Sequence, residues 1–272
     1  MDFACPKCRA ALFTDGNLKK CENGHSFDRA RAGYYNLLLG SSGGIHGDNR
    51  DMVEARRRFL SADNYLPLAK ALSRVAVENS ASGSVVLDCG CGEGYYTSKI
   101  ENALKNAGRT IDFLAFDISR DAVKLAARIC PDVSFAVASC YDVPMADASV
   151  DLALNIFSPL APTEMHRILK EGGRYVVAYP DEYHLYELKA AIYDTPYKNT
   201  PATDAPAGFK LVARERVAYT LDLSTNGAIM DLFMMTPYAY RTGRRERERL
   251  GLIDSLSTRV EFLIDVYERI AD

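Results

Sequence analysis

A chain of 272 residues, 48% hydrophobic and 25% charged, is sized for one large domain or for a domain with a small appendage. Its net charge of −3 argues against a general nucleic-acid coat, and no apolar run approaches the ~20 residues that cross a bilayer. The opening stretch, MDFACPKC, has neither the basic nor the apolar segment of a secretory signal, so the expected compartment is the cytoplasm, where seven cysteines serve metal, packing or catalysis rather than disulfides.

The first 38 residues are rich in Cys, Gly and Lys and read as a separate small module. Its cysteines fall in the pattern C-x2-C-x12-C-x3-H, which places Cys5, Cys8, Cys21 and His25 in two pairs separated by a hairpin-length spacer. Three soft thiolates and an imidazole suit tetrahedral zinc, and four protein ligands leave no open position, so the expected site is structural. So small a module buries too little core to fold alone, and bound metal would supply the missing free energy. Gly40–Asn49 has the composition of a flexible linker, with His46 expected in solvent. Helical spacing follows in Tyr65, Leu68, Leu72, Val75 and Ala76, with Asp63 or Asn64 as its expected cap.

From Ser84 strands and helices alternate. Strands are predicted at Val85–Asp88, Ile111–Asp117, Val133–Ala138, Val150–Phe157 and Arg174–Pro180, the last preceded by a turn at Glu171–Arg174. Helices are predicted on Tyr96, Ile100 and Leu104 and on SRDAVKLAARI. Two more strands are expected around Lys210–Tyr219 and Arg259–Val266, with a helical piece near Ala228–Met235 between them. The alternation implies an α/β fold with a parallel, doubly wound sheet.

The first of these strands runs into DCGCGEG and then a helix, which is the form of a nucleotide-cofactor loop. Gly90, Gly92 and Gly94 let backbone approach a ligand, but Tyr95 stands where a dinucleotide loop wants its third glycine. Asp88 at the strand tip suits a cationic ligand end, such as the ammonium of S-adenosylmethionine, better than a pyrophosphate. Asp117, at the tip of the second strand, can accept hydrogen bonds from ribose hydroxyls. With LKEGGR before the fifth strand, residues 84–180 resemble class I methyltransferases. Cys89 and Cys91 read as small buried loop residues. Cys140 is a weak nucleophile candidate, lacking the Pro-Cys pair of pyrimidine C5 methylases. Residues 155–159, NIFSP, lie at the fourth-strand tip and depart from the clamp of exocyclic-amine methylases. His166 is expected on a helix surface, and His184 at the ligand edge of the sheet or at an exposed helix start. The runs Arg56–Arg58 and Arg241–Arg249 read either as RNA contacts or as solvated helix faces.

The whole pattern is more specific. The Cys3His module, FDRARAGYYNLLL, ARRRFLSADNYLPL, VLDCGCGEGYYT, FSPLAPTEMHRILKEGGR, HLYELK and MMTPYAYR resemble the bacterial 23S ribosomal RNA guanine-N1 methyltransferases nearly end to end. The resemblance implies a zinc-binding RNA-recognition module over 1–38, a linker and helices over 39–83 and an S-adenosylmethionine-dependent domain over 84–272. It implies zinc on Cys5, Cys8, Cys21 and His25, cofactor contacts by Tyr65, Gly92, Glu93 and His184, and a homodimer acting on a guanine in a 23S ribosomal RNA hairpin loop. Tyr34, Tyr35, Tyr95 and Phe157 read equally as base-stacking platforms or as packing; phosphate contacts are expected from Lys19, Lys20, Arg29 and Arg31. The proton on guanine N1 needs an acceptor, for which Asp181, Glu182, His184 and solvent stand open. Two other readings remain at this level: a quinone or polyketide methyltransferase with zinc as a staple, and an RNA-binding protein that keeps the cofactor without catalysis.

Overall fold

A computed structural model of the chain describes residues 1–40, 49–201 and 204–271. The expected linker, with His46, falls largely outside them. Among the described residues the chain forms two sheets, of three and eight strands. The small sheet is an antiparallel meander of β1 (Phe13–Asp15), β2 (Leu18–Lys20) and β3 (Ser26–Asp28). Strands of three residues carry little stability of their own, so the module depends on what crosslinks it and on what it packs against.

The larger sheet is built from β4 (Tyr34–Asn36), β5 (Val85–Cys89), β6 (Asp112–Asp117), β7 (Ser134–Val137), β8 (Val150–Ile156), β9 (Leu169–Pro180), β10 (Phe209–Leu223) and β11 (Leu256–Arg269). Its helices are α1 (Arg50–Ser61), α2 (Leu66–Glu78), α3 (Tyr95–Asn106), α4 (Arg120–Ile129), α5 (Pro162–Ile168), α6 (Tyr186–Ile192), α7 (Asn226–Met234), α8 (Tyr238–Arg241) and α9 (Arg244–Leu250). The strand order is β10-β11-β9-β8-β5-β6-β7-β4. The strands from β9 to β4 pair parallel; β11 and β10 close the far side antiparallel. The chain leaves β5 toward β6 on one side and later returns to β8 on the other, so the strand order reverses between β5 and β8. Ligands of open α/β sheets sit outside such a reversal.

Side-chain alternation divides the core. Val86, Ala115, Leu152, Leu154 and Val176 face a layer containing Leu68, Leu72, Ile100, Leu104 and Val123 of α2, α3 and α4. Val85, Leu87, Cys89, Leu114, Phe116, Ala153 and Val177 face the other way, into a cluster shared by Met165 and Ile168 of α5 and by Phe3, Leu12 and Cys21 of the small module. The module thus covers part of one face of the parallel sheet. Burying Phe3 there contributes roughly 2–3 kcal/mol. Main-chain and side-chain bonds fix the contact: Ala4 N donates to Pro144 O (2.7 Å), Arg9 donates to Val143 O (2.7 Å), and Arg9 pairs with Asp142.

Several expectations need correction. Tyr34 and Tyr35 belong to β4, paired with Phe135 and Ala136, and both are buried, so they pack the sheet edge instead of receiving a base. Lys19 is buried against Asp2 and the Tyr35 ring and is not placed for phosphate contact. Tyr65, not Asp63 or Asn64, is the residue before the first turn of α2, and no side chain caps that turn. Asp63 takes a left-handed conformation (φ 57°) and accepts from Tyr95 Oη and Lys99 Nζ, both at 3.2 Å. The turn expected at 171–174 is present as a bulge: Val150 pairs with Leu169 and Leu152 with Arg174, so the residues between loop out of the ladder.

Candidate active site

The loop after β5 hangs from β6, since the N–H groups of Gly90 and Cys91 both donate to Phe116 O (2.8 and 3.0 Å). Gly92 N donates to Asp117 Oδ2 (3.0 Å) and Ser119 N to Oδ1 (2.7 Å), which aims the Asp117 carboxylate from the tip of β6. Two of the glycines are required by close approach. A Cβ on Gly90 (φ 86°) would overlap Ser158 of the turn after β8, and one on Gly94 (φ 91°) would lie 2.9 Å from Ala126 Cα in α4. The β5 and β8 tips are therefore interlocked at the point where the strand order reverses.

Asp88 is fully buried below this loop. Its Oδ2 accepts from Thr97 Oγ1 in the first turn of α3 (2.7 Å), while Oδ1 finds no partner among the described residues. Burial, opposed by the Thr97 bond and aided by the Asp117 charge, pushes its carboxyl up to about 7. A buried carboxylate oxygen without a donor is costly unless a ligand supplies one. Glu93 is also buried in the loop.

His184 lies beyond β9, buried against Phe262 (ring centroids 4.5 Å) and near Tyr65 (6.2 Å). The Glu261 N–H donates to its Nδ1 (3.2 Å). The neutral ring therefore carries its hydrogen on Nε2 and acts there as a donor. Burial, helped by the Lys189 charge, brings its pKa down to about 3. Lys189 is itself buried and meets no carboxylate among the described residues. Its Nζ donates to Tyr197 O (3.0 Å) and Asn199 Oδ1 (2.8 Å) and sits over the Tyr197 ring (4.7 Å). Asn199 Nδ2 then donates to Asp181 O (2.8 Å), which ties the His184 segment down. Aromatic rings continue toward the loop: Tyr65 on Phe59 and Phe262, Phe262 on Phe157 (5.2 Å), Phe157 on Tyr96 (6.1 Å). The Tyr96 hydroxyl is buried with no partner among the described residues.

In the small module, the ligand atoms of Cys5, Cys8, Cys21 and His25 lie within 4.8 Å of one another. The Cys8 and Cys21 sulfurs are 3.7 Å apart, and His25 Nδ1 is 3.5 Å from Cys5 Sγ and 3.4 Å from Cys21 Sγ. Tetrahedral zinc with ordinary Zn–S and Zn–N bonds has S···S edges of about 3.8 Å and N···S edges of about 3.5 Å. The donor set fits zinc, with His25 presenting Nδ1. Asn23 Nδ2 donates to Cys8 Sγ (3.3 Å); this bond is the main cause that lowers the Cys8 thiol to about 6.

Residues 80–229 match the family described as a methyltransferase domain, and residues 3–39 match the one described as "RlmA, N-terminal", a zinc ribbon. The 23S rRNA (guanine(748)-N(1))-methyltransferase of Streptomyces fradiae is 36% identical over 80% of this chain and 79% of its own length. A putative 23S rRNA (guanine-N(1)-)-methyltransferase of Bacillus subtilis, YxjB, is 31% identical over 97% of this chain and 94% of its own. One from Micromonospora griseorubida is 31% identical over 88% and 86%. The chain belongs to the 23S rRNA (guanine-N1)-methyltransferase family.

As a member of this methyltransferase family the chain uses S-adenosylmethionine, and its ribbon holds zinc. The structure brings Asp88, Gly90, Gly92, Glu93, Gly94 and Asp117 to one loop and strand tip, and Tyr65 with His184 to one aromatic cluster. Sequence reasoning does not reach Thr97 or Phe262, and it reaches Ser158 only within NIFSP. Thr97 had a readable position, the first turn of the helix after a glycine loop. Phe262 had none, because it comes from an antiparallel strand whose register is set by the tertiary fold. In this methyltransferase Gly90→Ala is expected to weaken S-adenosylmethionine binding at least tenfold in titration calorimetry, since the new methyl collides with Ser158 and the left-handed backbone costs roughly 1–2 kcal/mol. An affinity within twofold of the parent would show that Ser158 can swing aside.

Proposed function

We infer that the protein transfers a methyl group from S-adenosylmethionine to N1 of a guanine in a hairpin loop of 23S ribosomal RNA. The observation that carries this reading is a family relationship that spans the ribbon and the methyltransferase domain together. When bound, the sulfonium supplies an electrophilic methyl, and the protein's task is positioning. The orphaned Asp88 oxygen suits the cofactor's ammonium, the Asp117 carboxylate the ribose hydroxyls, and the His184 Nε2–H the carboxylate of its methionine end. Gly90, Gly92, Glu93 and Gly94 line the approach, and Tyr65 buttresses His184.

Phe157 is the base platform. It opens the turn after β8 in a left-handed conformation (φ 59°), which costs an aromatic residue about 1–3 kcal/mol, and the residue remains 41% exposed. Phe157 N donates to Ala178 O (3.1 Å) and Asn155 Nδ2 to Pro159 O (3.0 Å), so the turn is rigid. Stacking is worth about 1–3 kcal/mol per base, so Phe157→Asn, which tolerates this backbone, should lower kcat/KM on RNA about 10- to 100-fold with cofactor affinity intact. Equal kcat/KM for variant and parent would remove the platform role.

The acceptor of the N1 proton narrows as well. Burial raises the Asp181 carboxyl, but Arg216 (2.7 Å) and the Glu182 N–H outweigh it and hold it below the usual range. Glu182 is paired with Lys198, and His184 offers an N–H donor. Both carboxylates meet a cation and His184 presents a donor, which favours water as the acceptor.

The direct test is to incubate protein-free 23S transcripts with purified enzyme and radiolabelled cofactor and to map reverse-transcription stops, since an N1 methyl blocks base pairing. Label incorporation with a stop beside one guanine is expected; cofactor binding with no label on any RNA would refute the reading. The family resemblance adds cytoplasmic action and a homodimer, the latter withdrawn if sedimentation velocity finds a monomer at micromolar concentration. Among the described residues no helix is long and apolar enough to cross a membrane.

A further inference from the structure

We infer that the exposed arginines of α8 and α9, Arg241, Arg244 and Arg245, form a second phosphate-binding surface, which grips the RNA on the side of the methyl-transfer crevice away from the zinc ribbon. This rests on the RNA substrate proposed above.

Topology places the surface at the ligand edge. β11 pairs with β9 only from Phe262 onward; its first residues, 256–261, continue the ladder with β10 and are flanked on the other side by the segment after β9, where Asp181 N donates to Glu261 O (2.9 Å) and Leu185 N to Arg259 O (2.8 Å). The β10–β11 hairpin therefore projects about 20 Å past the C-terminal ends of the parallel strands, at 3.4 Å per residue. The three helices inserted at its far end, α7 to α9, cap that edge. Arg58 of α1 forks onto Asp231 of α7 (2.6 Å), and α1 also lies beside the glycine loop, with Arg56 3.7 Å from a Cβ built on Gly92. The ribbon is at the other end, docked on the loop after β7. From β11 to β7 there are five strand spacings, roughly 24 Å, with the β5 and β8 tips between.

Charge and exposure point to phosphate. Residues 241–249 hold five arginines against two glutamates in a chain whose net charge is −3. Two of the five are engaged in the fold: Arg247 donates to Ala239 O and Thr242 O, and Arg249 pairs with Asp194. Those bonds, with Leu250 buried and Asn226 Nδ2 donating to Leu250 O (3.0 Å) and Ile253 O (2.8 Å), hold α9 in place. The other three point outward. Arg241 and Arg245 form no salt bridge among the described residues, and Arg244 meets only Glu248 in a solvent-exposed i,i+4 pair that a phosphate can displace. Beside them Tyr240 is 64% exposed, an aromatic face of the kind that single-stranded bases stack on.

The test compares the parent with the triple variant Arg241→Ala, Arg244→Ala, Arg245→Ala and with the matching triple lysine variant, all as zinc-loaded full chains. Affinity for a 23S transcript is measured at several salt concentrations beside cofactor affinity and melting temperature. Losing three phosphate contacts should weaken binding about 10- to 100-fold at moderate salt and flatten the log–log salt slope by about 2 to 3. The lysine variant should keep the parent slope, and cofactor affinity and melting should not change. A triple alanine variant with the parent's slope and RNA affinity would overturn the inference. A parent enzyme that methylates no RNA would instead overturn the proposed function, and the two failures are separable in one set of assays.

Discussion

Replacing Cys21 with alanine should abolish zinc binding and, with it, methylation of RNA. Cys21 supplies one of four converging donors and is buried in the cluster that continues into the parallel sheet through Leu87, Cys89 and Ala136. Structural zinc contributes on the order of 10 kcal/mol to folding a module of this kind. Its loss should free Phe3 and Leu12 from the sheet face and loosen the β4–β7 edge. Losing even about 4 kcal/mol lowers the melting temperature of a domain this size by roughly 10 °C. Elemental analysis should fall from one zinc per chain to none, calorimetry should show the lower transition, and label transfer to RNA should disappear. If zinc is gone while melting and methylation match the parent, the ribbon is neither a staple nor a recognition element.

Cofactor affinity should rise with pH up to neutrality, and Asp88→Asn should both weaken it by about 30-fold or more and abolish the pH dependence. In the free enzyme burial lifts the Asp88 carboxyl to about 7, so at pH 6 it is mostly protonated. A bound ammonium favours the ionised form, so binding expels a proton below pH 7 and the dissociation constant should fall about tenfold per pH unit up to that point. Calorimetry at pH 6 in two buffers of different ionisation enthalpy should register close to one proton released. The free enzyme carries the opposite trend in stability. Between the unfolded value near 4 and the folded value near 7 only the folded chain holds this proton, so stability falls by about 1.4 kcal/mol per unit as pH rises, and no further above 7. A flat affinity profile from pH 5.5 to 7.5 would place the cofactor's cation elsewhere.

How far the sequence reaches differs from element to element. The strand predicted at Val85–Asp88 is observed at Val85–Cys89, and that predicted at Val150–Phe157 is observed at Val150–Ile156, because fully buried strands are runs of β-formers cut off by glycine or proline turns. The two late strands are found where expected but are longer, Phe209–Leu223 and Leu256–Arg269. Their antiparallel direction and their projection past β9 left no periodic signal. β4 was equally invisible, since three residues cannot display an alternation. Without β4 in view, the sequence leaves Tyr34 and Tyr35 open between stacking on a base and packing. The aspartates and glycines of the loop could be placed at one strand tip from the sequence, because strand, loop and helix follow one another directly in the chain. The His184 tautomer could not, because it is fixed by the Glu261 N–H, 77 positions away along the chain.

β4 also sets a schedule for synthesis. The ribbon leaves the ribosome ahead of the parallel sheet, yet β4, bridged to the ribbon at Arg29–Tyr35, has no strand of the large sheet to pair with until Ser134–Val137 has been made, roughly 100 residues later. At about 5–20 residues per second the nascent ribbon waits on the order of 5–20 s with Phe3, Leu12 and Leu37 uncovered. Metal uptake during that interval would give the early chain a fixed shape before the rest exists. A cell short of zinc would then lose this protein to aggregation or proteolysis of unfinished chains, before any finished enzyme could be stripped of its metal.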